Sequence, residues 1–154
     1  MKNTTFITVA VLAIGFLLYL NYGPKKEPGF TKKVIFTEKA PKPIGPYSQG
    51  ILTGNTLFVS GQIGLNTDGV LDTSSIENET KQVLTNINAI LDAAKMDLSD
   101  ITKTTIYLKD LKDFKAVNEF YGKWFRENPP ARETVQVSAL PKGARIEISV
   151  IAVK

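Results

Sequence analysis

Arg132 and Glu147 are the charged residues of this sequence that are best placed for chemistry. Arg132 follows Pro129-Pro130-Ala131, which restrict the backbone before it, and a fixed guanidinium can hold a carboxylate through two parallel hydrogen bonds. Glu147 lies on the predicted last strand and can activate a water molecule if it is partly desolvated. Each residue also has a structural alternative. Arg132 could form a surface ion pair with Glu133 or Glu127, and Glu147 could form an ion pair with a residue on a neighbouring strand.

The elements that carry these two residues are predicted to be the strands of a β-hairpin, with its turn at Pro141-Lys142-Gly143. Pairing across this turn puts Gln136, rather than Arg132, opposite Glu147. At about 3.3 Å per residue, the two charged groups then lie more than roughly 10 Å apart along the hairpin. A long reach, a register shift or a neighbouring subunit must bring them together if they cooperate.

The chain contains neither cysteine nor histidine. Their absence excludes disulfides, thiolate nucleophiles, Ser-His and Cys-His dyads, and nearly every zinc, copper or haem site. Any chemistry must therefore use Arg, Lys, Glu, Asp, Tyr, Ser, Thr, backbone groups and water, and no metal ligand set is expected.

The net charge of +4 is confined to the start of the chain. Five lysines and one glutamate within residues 1–33 account for it, so the 14 basic and 14 acidic residues that follow cancel. A domain that binds phosphate backbones usually has a basic excess of its own. We therefore expect no nucleic acid partner.

Residues 1–23 form an apolar N-terminal segment, and 4–22 are just long enough to cross a bilayer as a helix. An uncleaved membrane anchor is favoured over a cleaved signal peptide, because no A-x-A site follows, and over a buried core helix. Residues 24–33 read as a Pro/Gly/Lys linker. The folded domain is then expected over 34–154.

The side of the membrane follows from the flanking charges. Only Lys2 and the α-amino group precede the apolar segment, so positive-inside counting places the domain in the cytoplasm. A periplasmic or secreted domain is the alternative, and applies if the segment is a cleaved signal. The lysines that follow the segment are Lys25, Lys26, Lys32 and Lys33.

The remaining chain predicts the order β-β-β-α-β-α-β-β. A hairpin signal lies at Gly54-Asn55, and helices are predicted over 74–95, with a Ser74–Glu77 capping box, and over 113–127. This order indicates an α+β fold with both helices on one face of a mixed sheet. The strands are too apolar for the other face to meet water, which favours an oligomer.

Three further residues are candidates for a site. Asn118 interrupts the apolar stripe of the second helix, so its amide either caps a backbone group or faces a pocket. Tyr47 lies in the loop "IGPYSQG", where it either covers a ligand or packs. Gly61 follows a strand in "VSGQIG", where a backbone amide can approach a small molecule.

Four ordered segments, "APKPIGPYSQGI", "LFVSGQIGLN", "ITKTTIYLKDLKDFKAVNEFY" and "PARETVQVSALPKGARIEISVIAV", closely resemble the RidA (YjgF/Rid) family of reactive-intermediate deaminases. The resemblance implies a chorismate-mutase-like α+β fold, assembled as a homotrimer with clefts between subunits. It also implies hydrolytic deamination of 2-enamine and 2-imine acids, such as 2-aminoacrylate or 2-iminobutanoate, to 2-keto acids and ammonia, without a cofactor.

The resemblance also assigns roles. Arg132 would bind the substrate carboxylate and Glu147 would position or activate the hydrolytic water. Tyr47, Gly61 and Asn118 match positions that line the family's cleft. The backbone around Thr134 would help to fix the imine nitrogen, although many family members carry cysteine at that position.

Two other functions stay open. The first is a non-catalytic, membrane-tethered trimer that binds small carboxylates through Arg132; the presence of Glu147 speaks against it. The second is the ribonuclease or translation-inhibitor activity associated with the same family. The neutral domain disfavours that activity, because strong RNA binding requires basic charge.

Overall fold

A six-stranded sheet and two α-helices make up the fold in the computed structural model, which describes Gly29 and residues 31–154. The strands are β1 (Lys32–Ile35), β2 (Gly50–Thr53), β3 (Thr56–Ile63), β4 (Ile101–Leu108), β5 (Ala131–Gln136) and β6 (Ile146–Val153). The α-helices are α1 (Ile76–Ala93) and α2 (Phe114–Trp124), and short 3-10 turns lie at Leu98–Asp100, Leu111–Asp113 and Pro141–Gly143. The predicted order of elements is confirmed, and β1 begins inside the segment interpreted as a linker.

The strands are ordered β1-β2-β3-β6-β4-β5 across the sheet. All neighbours are antiparallel except β4 and β5, which are parallel because α2 connects them as a crossover. The tight turn between β2 and β3 contains Gly54 at a φ of 58°, a conformation that glycine adopts without a steric cost. The predicted mixed sheet is confirmed.

The predicted hairpin between β5 and β6 is wrong. Strand β4 lies between them and pairs with both. Tyr107 of β4 is in register with Glu147 on one side and with Val135 on the other, so Gln136 is not the partner of Glu147. The crossover through α2 places β5 at the outer edge of the sheet, and β6 then pairs with the edge of β4 that remains.

Helix α1 forms because its apolar residues recur at helical spacing and its start is capped. The Ser75 hydroxyl accepts a hydrogen bond from the Asn78 N–H at 3.1 Å, so Ser75 is the N-cap and the predicted Ser74–Glu77 capping box is wrong. The buried face of α1 includes Val83, Leu84, Ile87, Ile90 and Leu91.

The core lies between the helices and one face of the sheet. Val117 and Tyr121 of α2 are buried, whereas Phe114 at its start is 40% exposed, so the apolar stripe is only partly covered. Both helices pack on this face, as predicted. The sheet supplies Ile106, Leu108, Ile146 and Ile148, which are all fully buried.

The opposite sheet face is apolar and open in this single chain. Val34, Ile51, Phe58 and Ile151 occupy one register row across four strands. Val34 is 60% exposed and Phe58 is 45% exposed. A row of exposed apolar side chains on a sheet is typical of a surface that a partner covers.

The membrane anchor predicted over residues 4–22 lies outside the described residues, and the membrane localisation deduced from it is corrected. Within the described part of the chain, no helix combines the length and the apolar character needed to cross a bilayer. Helices α1 and α2 are instead amphipathic, with one apolar face on the sheet and charged residues elsewhere. The expectation of a membrane-anchored protein is corrected to this extent: the described residues supply no membrane-spanning helix.

Candidate active site

Arg132 lies on the edge strand β5, on the side of the sheet that carries the helices. Its Cα is in register with that of Thr104, whose side chain is fully buried. The guanidinium carbon lies 5.0 Å from the centre of the Tyr121 ring on α2. Within residues 31–154, no carboxylate comes within ion-pairing distance of Arg132. Its positive charge is therefore available to an anion.

The predicted alternative, an ion pair between Arg132 and Glu133, does not form. Glu133 points to the other side of β5, where it pairs with the Lys103 ammonium at 3.2 Å and accepts a hydrogen bond from the Thr105 hydroxyl at 2.7 Å. These two contacts hold the pKa of the Glu133 carboxyl below its ordinary value, with the Thr105 hydrogen bond as the larger cause. Alternation along the strand thus separates Arg132 from the nearest carboxylate.

Asn118 and Thr134 lie on the same side of the sheet as Arg132. The Asn118 Oδ1 and Thr134 Oγ1 atoms are buried, and no described residue hydrogen-bonds to either. Buried polar atoms are normally paired, so these two are suited to groups on a ligand. We call Asn118, Arg132 and Thr134 the arginine half-site. An adjoining cavity of about 450 Å³ is lined by Asn118, Tyr121, Gly122, Phe125, Pro129, Pro130 and Arg132.

Glu147 lies on β6, with its side chain on the open face of the sheet. A β-bulge in β3 sets Ser60 and Gly61 opposite the single residue Ser149 and brings the Gly61 backbone against the Glu147 carboxylate. A Cβ atom on Gly61 would lie 1.8 Å from Glu147 Oε1. Any side chain at position 61 would therefore clash with the Glu147 carboxylate in this conformation, and glycine avoids that clash.

The Glu147 carboxylate has no cation within ion-pairing distance among the described residues. Burial raises its pKa above the ordinary value of 4.5, because desolvation disfavours the charged form. A carboxylate whose pKa lies nearer to neutral pH accepts and returns a proton more effectively. Glu147 thus has the environment of a general base.

Tyr47 and Gly61 adjoin Glu147 at a cavity of about 240 Å³, which Ile44, Gln49 and Pro141 also help to line. Tyr47 is 46% exposed, and its hydroxyl accepts a hydrogen bond from the Ile44 N–H at 3.2 Å. This hydrogen bond holds the Tyr47 ring against its own loop, and the ring also lines the cavity. We call Tyr47, Gly61 and Glu147 the glutamate half-site.

Gln49 fixes the loop that carries Tyr47, and sequence patterns did not reveal it. Its buried amide accepts from the Thr37 N–H at 2.7 Å and donates to the carbonyls of Thr37, Ala40 and Pro41 at 3.0–3.3 Å. The only signal in the sequence is a glutamine beside an apolar strand. Its partners lie 8–12 residues away, in a loop without regular structure.

Glu79 and Arg145 form a second arrangement that the sequence did not indicate. Glu79 is fully buried on α1 and accepts hydrogen bonds from the Arg145 backbone N–H at 2.8 Å and from its Nε at 2.9 Å. A buried carboxylate requires such pairing. This pair ties α1 to the start of β6, two residues before Glu147.

The two half-sites lie on opposite faces of one sheet. All six predicted residues, Tyr47, Gly61, Asn118, Arg132, Thr134 and Glu147, belong to one half-site or the other. The fold and these residues define an α+β protein with an arginine that no described carboxylate neutralises on one face of the sheet and a desolvated carboxylate on the other.

The sequence profile of the family described as Endoribonuclease L-PSP matches residues 37–154. A RutC family protein of Pyrococcus horikoshii is 54% identical over 124 residues, which are 80% of this chain and 98% of that protein. A 2-iminobutanoate/2-iminopropanoate deaminase of Homo sapiens is 48% identical over 124 residues, 80% of this chain and 90% of that protein. The chain belongs to the Endoribonuclease L-PSP family, and its resemblance to the RidA proteins is confirmed.

Solved structures of similar proteins have the same fold as this chain. The YjgF gene product of E. coli has a TM-score of 0.76 and 44% identity, over 79% of this chain and 98% of that chain. E. coli TdcF with bound serine also has a TM-score of 0.76, with 39% identity over the same shares of both chains. The predicted mixed sheet with two helices is therefore the fold of this family.

Proposed function

We propose that this protein hydrolyses 2-imine acids, formed from 2-enamine acids, to 2-keto acids and ammonia. The observation that carries the proposal is that one chain supplies both an Arg132 with no carboxylate partner among the described residues and a desolvated Glu147, at positions that match the family's segments. The human relative named as a 2-iminobutanoate/2-iminopropanoate deaminase supports the reaction class. TdcF with bound serine supports a ligand of amino-acid size.

We infer that the working protein is a homotrimer with its sites between subunits. In one chain the two half-sites cannot meet, because the sheet separates them. A neighbour that packs its arginine half-site against the open sheet face would cover the apolar row through Phe58 and complete the site. Closed rings form by such head-to-tail contacts.

Substrate binding assigns roles to the arginine half-site. Arg132 would hold the substrate carboxylate through two hydrogen bonds. The backbone around Thr134 would orient the imine nitrogen, and the unpartnered Asn118 Oδ1 can accept from a protonated nitrogen. A preorganised site of this kind lowers the barrier by positioning the reactants and by stabilising developing charge.

Hydrolysis would then use the glutamate half-site of the neighbour. Glu147 takes a proton from water as the water oxygen bonds to the imine carbon, giving a tetrahedral amino alcohol. The same carboxyl returns that proton to the nitrogen. The C–N bond breaks as the Glu147 carboxylate takes the hydroxyl proton, which gives the 2-keto acid and ammonia, and Glu147 then passes that proton to the departing ammonia. Tyr47 would cover the site, and no other reactant is needed.

The test is release of 2-keto acid from enzymatically generated 2-aminoacrylate or its four-carbon homologue. The full chain should accelerate release, and Arg132→Ala should lose about 100-fold or more in kcat/KM, because a substrate charge loses its partner. Arg126→Ala is the matched control, since it removes an exposed arginine outside both half-sites. Wild-type rates in Arg132→Ala would refute the proposal.

The family description leaves ribonuclease activity as the second candidate. The balanced charge beyond residue 33 disfavours it. RNA affinity that falls steeply with salt and is unaffected by Arg132→Ala would favour this candidate. A third candidate, a carboxylate-binding trimer without catalysis, predicts ligand binding with no release of keto acid.

A further inference from the structure

Tyr121 contacts Arg132 and is itself held by two neighbours. Its hydroxyl lies 3.0 Å from the Thr104 hydroxyl on β4, and Thr104 is the register partner of Arg132. Its ring is stacked with Phe125, with 4.4 Å between ring centres and 26° between ring planes. Tyr121 is only 4% exposed. The ring is therefore a fixed surface.

Arg132, by contrast, has an exposed side chain with no carboxylate partner among the residues that the structure describes. An arginine side chain has several rotatable bonds, and ordering it costs conformational entropy. The face of an aromatic ring attracts a guanidinium and favours a stacked orientation. The contact with Tyr121 is thus able to order the guanidinium before a ligand arrives.

We propose that Tyr121 is a positioning residue, whose ring orients the Arg132 guanidinium for binding of a carboxylate. The expected change in KM rests on the proposed function, in which Arg132 binds the substrate carboxylate. Tyr121 itself need not take part in proton transfer. Weakening the ring's attraction for a cation should raise KM for the imine acid and leave kcat nearly unchanged.

The test replaces Tyr121 with phenylalanine and then with mono-, di- and trifluorophenylalanine in the full chain. Each fluorine withdraws electron density from the ring face while the ring keeps its stacked shape. We expect KM to rise stepwise from the phenylalanine variant, by roughly 3- to 30-fold over the series, with kcat within about two-fold. A KM that does not change over the series, in an active protein, overturns the inference.

Phe120 provides the matched control. The Lys123 ammonium lies 5.5 Å from the centre of its ring, so it makes a comparable contact outside both half-sites. The same fluorinated series at position 120 should leave KM unchanged. An equal rise in KM at both positions would indicate a general effect on the fold and would overturn a specific role for Tyr121.

A second measurement does not depend on catalysis. In the wild-type chain, the ring should shift the NMR signals of the Arg132 side chain upfield, and Tyr121→Leu should remove that shift. If the wild type releases no keto acid, the proposed function fails while this measurement still decides the inference. An Arg132 spectrum that is unchanged by Tyr121→Leu overturns it.

Discussion

Arg132 and Glu147 lie on opposite faces of the same sheet, on strands that β4 separates. Arg132 is in register with Thr104 and Glu147 with Tyr107, so they are also three residues apart along β4. An odd offset in a strand reverses the face. The sheet therefore prevents the two groups from acting on one small molecule within a single chain.

This separation predicts complementation between two inactive variants. Co-expression of Arg132→Ala with Glu147→Gln chains should give mixed oligomers with about one third of wild-type activity, because a ring of three that contains both variants has one site of three with two intact half-sites. The measurement is keto acid release by mixed oligomers isolated through different tags. Activity no higher than the sum of the separate variants would show that neighbouring subunits do not share a site.

Gly61→Ala should reduce turnover without unfolding the protein. The added methyl group occupies the place of the Glu147 carboxylate, and the flexible glutamate side chain can move away. Displacement of a catalytic group by about 1 Å can cost about 100-fold in rate. We expect such a loss in kcat with an unchanged circular dichroism spectrum. Gly122→Ala controls for the substitution itself in folding measurements, since no atom lies within 4 Å of the added Cβ.

The Glu147 environment makes a pH prediction with a defined sign. Its pKa is raised in the folded chain, so its contribution to stability is fully present below the ordinary value of 4.5 and is lost as pH rises through the folded pKa. Glu147→Gln should therefore unfold at a higher temperature than the wild type at pH 7 to 8, with a difference that shrinks towards pH 4. Thermal unfolding measured across this range tests the sign.

The same substitution should lower turnover by about 10²- to 10⁴-fold, because an amide cannot accept the proton. Wild-type kcat/KM should fall as pH drops through the raised pKa, since the working form is the carboxylate. If kcat/KM of Glu147→Gln still falls in the same way as pH drops, the fall is due to the titration of another group.

Gln49→Ala should loosen the loop that carries Tyr47. The substitution leaves three carbonyls and one N–H without their partner, and unsatisfied buried groups cost about 1–3 kcal/mol. We expect a lower free energy of unfolding in urea and faster amide exchange over residues 37–47. Gln136→Ala is the control for loop exchange, because it removes one exposed hydrogen bond, from the Leu111 N–H at 3.0 Å, outside residues 37–47. Unchanged exchange in the loop would show that Gln49 is not its anchor.

Much of the fold could be predicted from local patterns. The spacing of Val83, Ile87 and Ile90 indicated α1, and Gly54-Asn55 indicated the turn between β2 and β3. The roles of Arg132 and Glu147 came from residue types and from the resemblance to a family. Their geometry could not be predicted, because β4 enters between two strands that follow each other closely in sequence.

The sequence by itself determined which segments form helices and strands, the absence of cysteine and histidine chemistry, and which six residues were candidates for a site. The first two properties depend on residue type and on local periodicity, whereas the candidate residues also depend on the resemblance to a family, which alone indicated Thr134. Only the tertiary structure decided that Arg132 forms no ion pair with Glu133 and that Gly61 leaves space for the Glu147 carboxylate. It also decided that the two half-sites lie on opposite faces of the sheet. Strand pairing and burial join residues distant in the chain, and no local pattern specifies which edge a strand will choose.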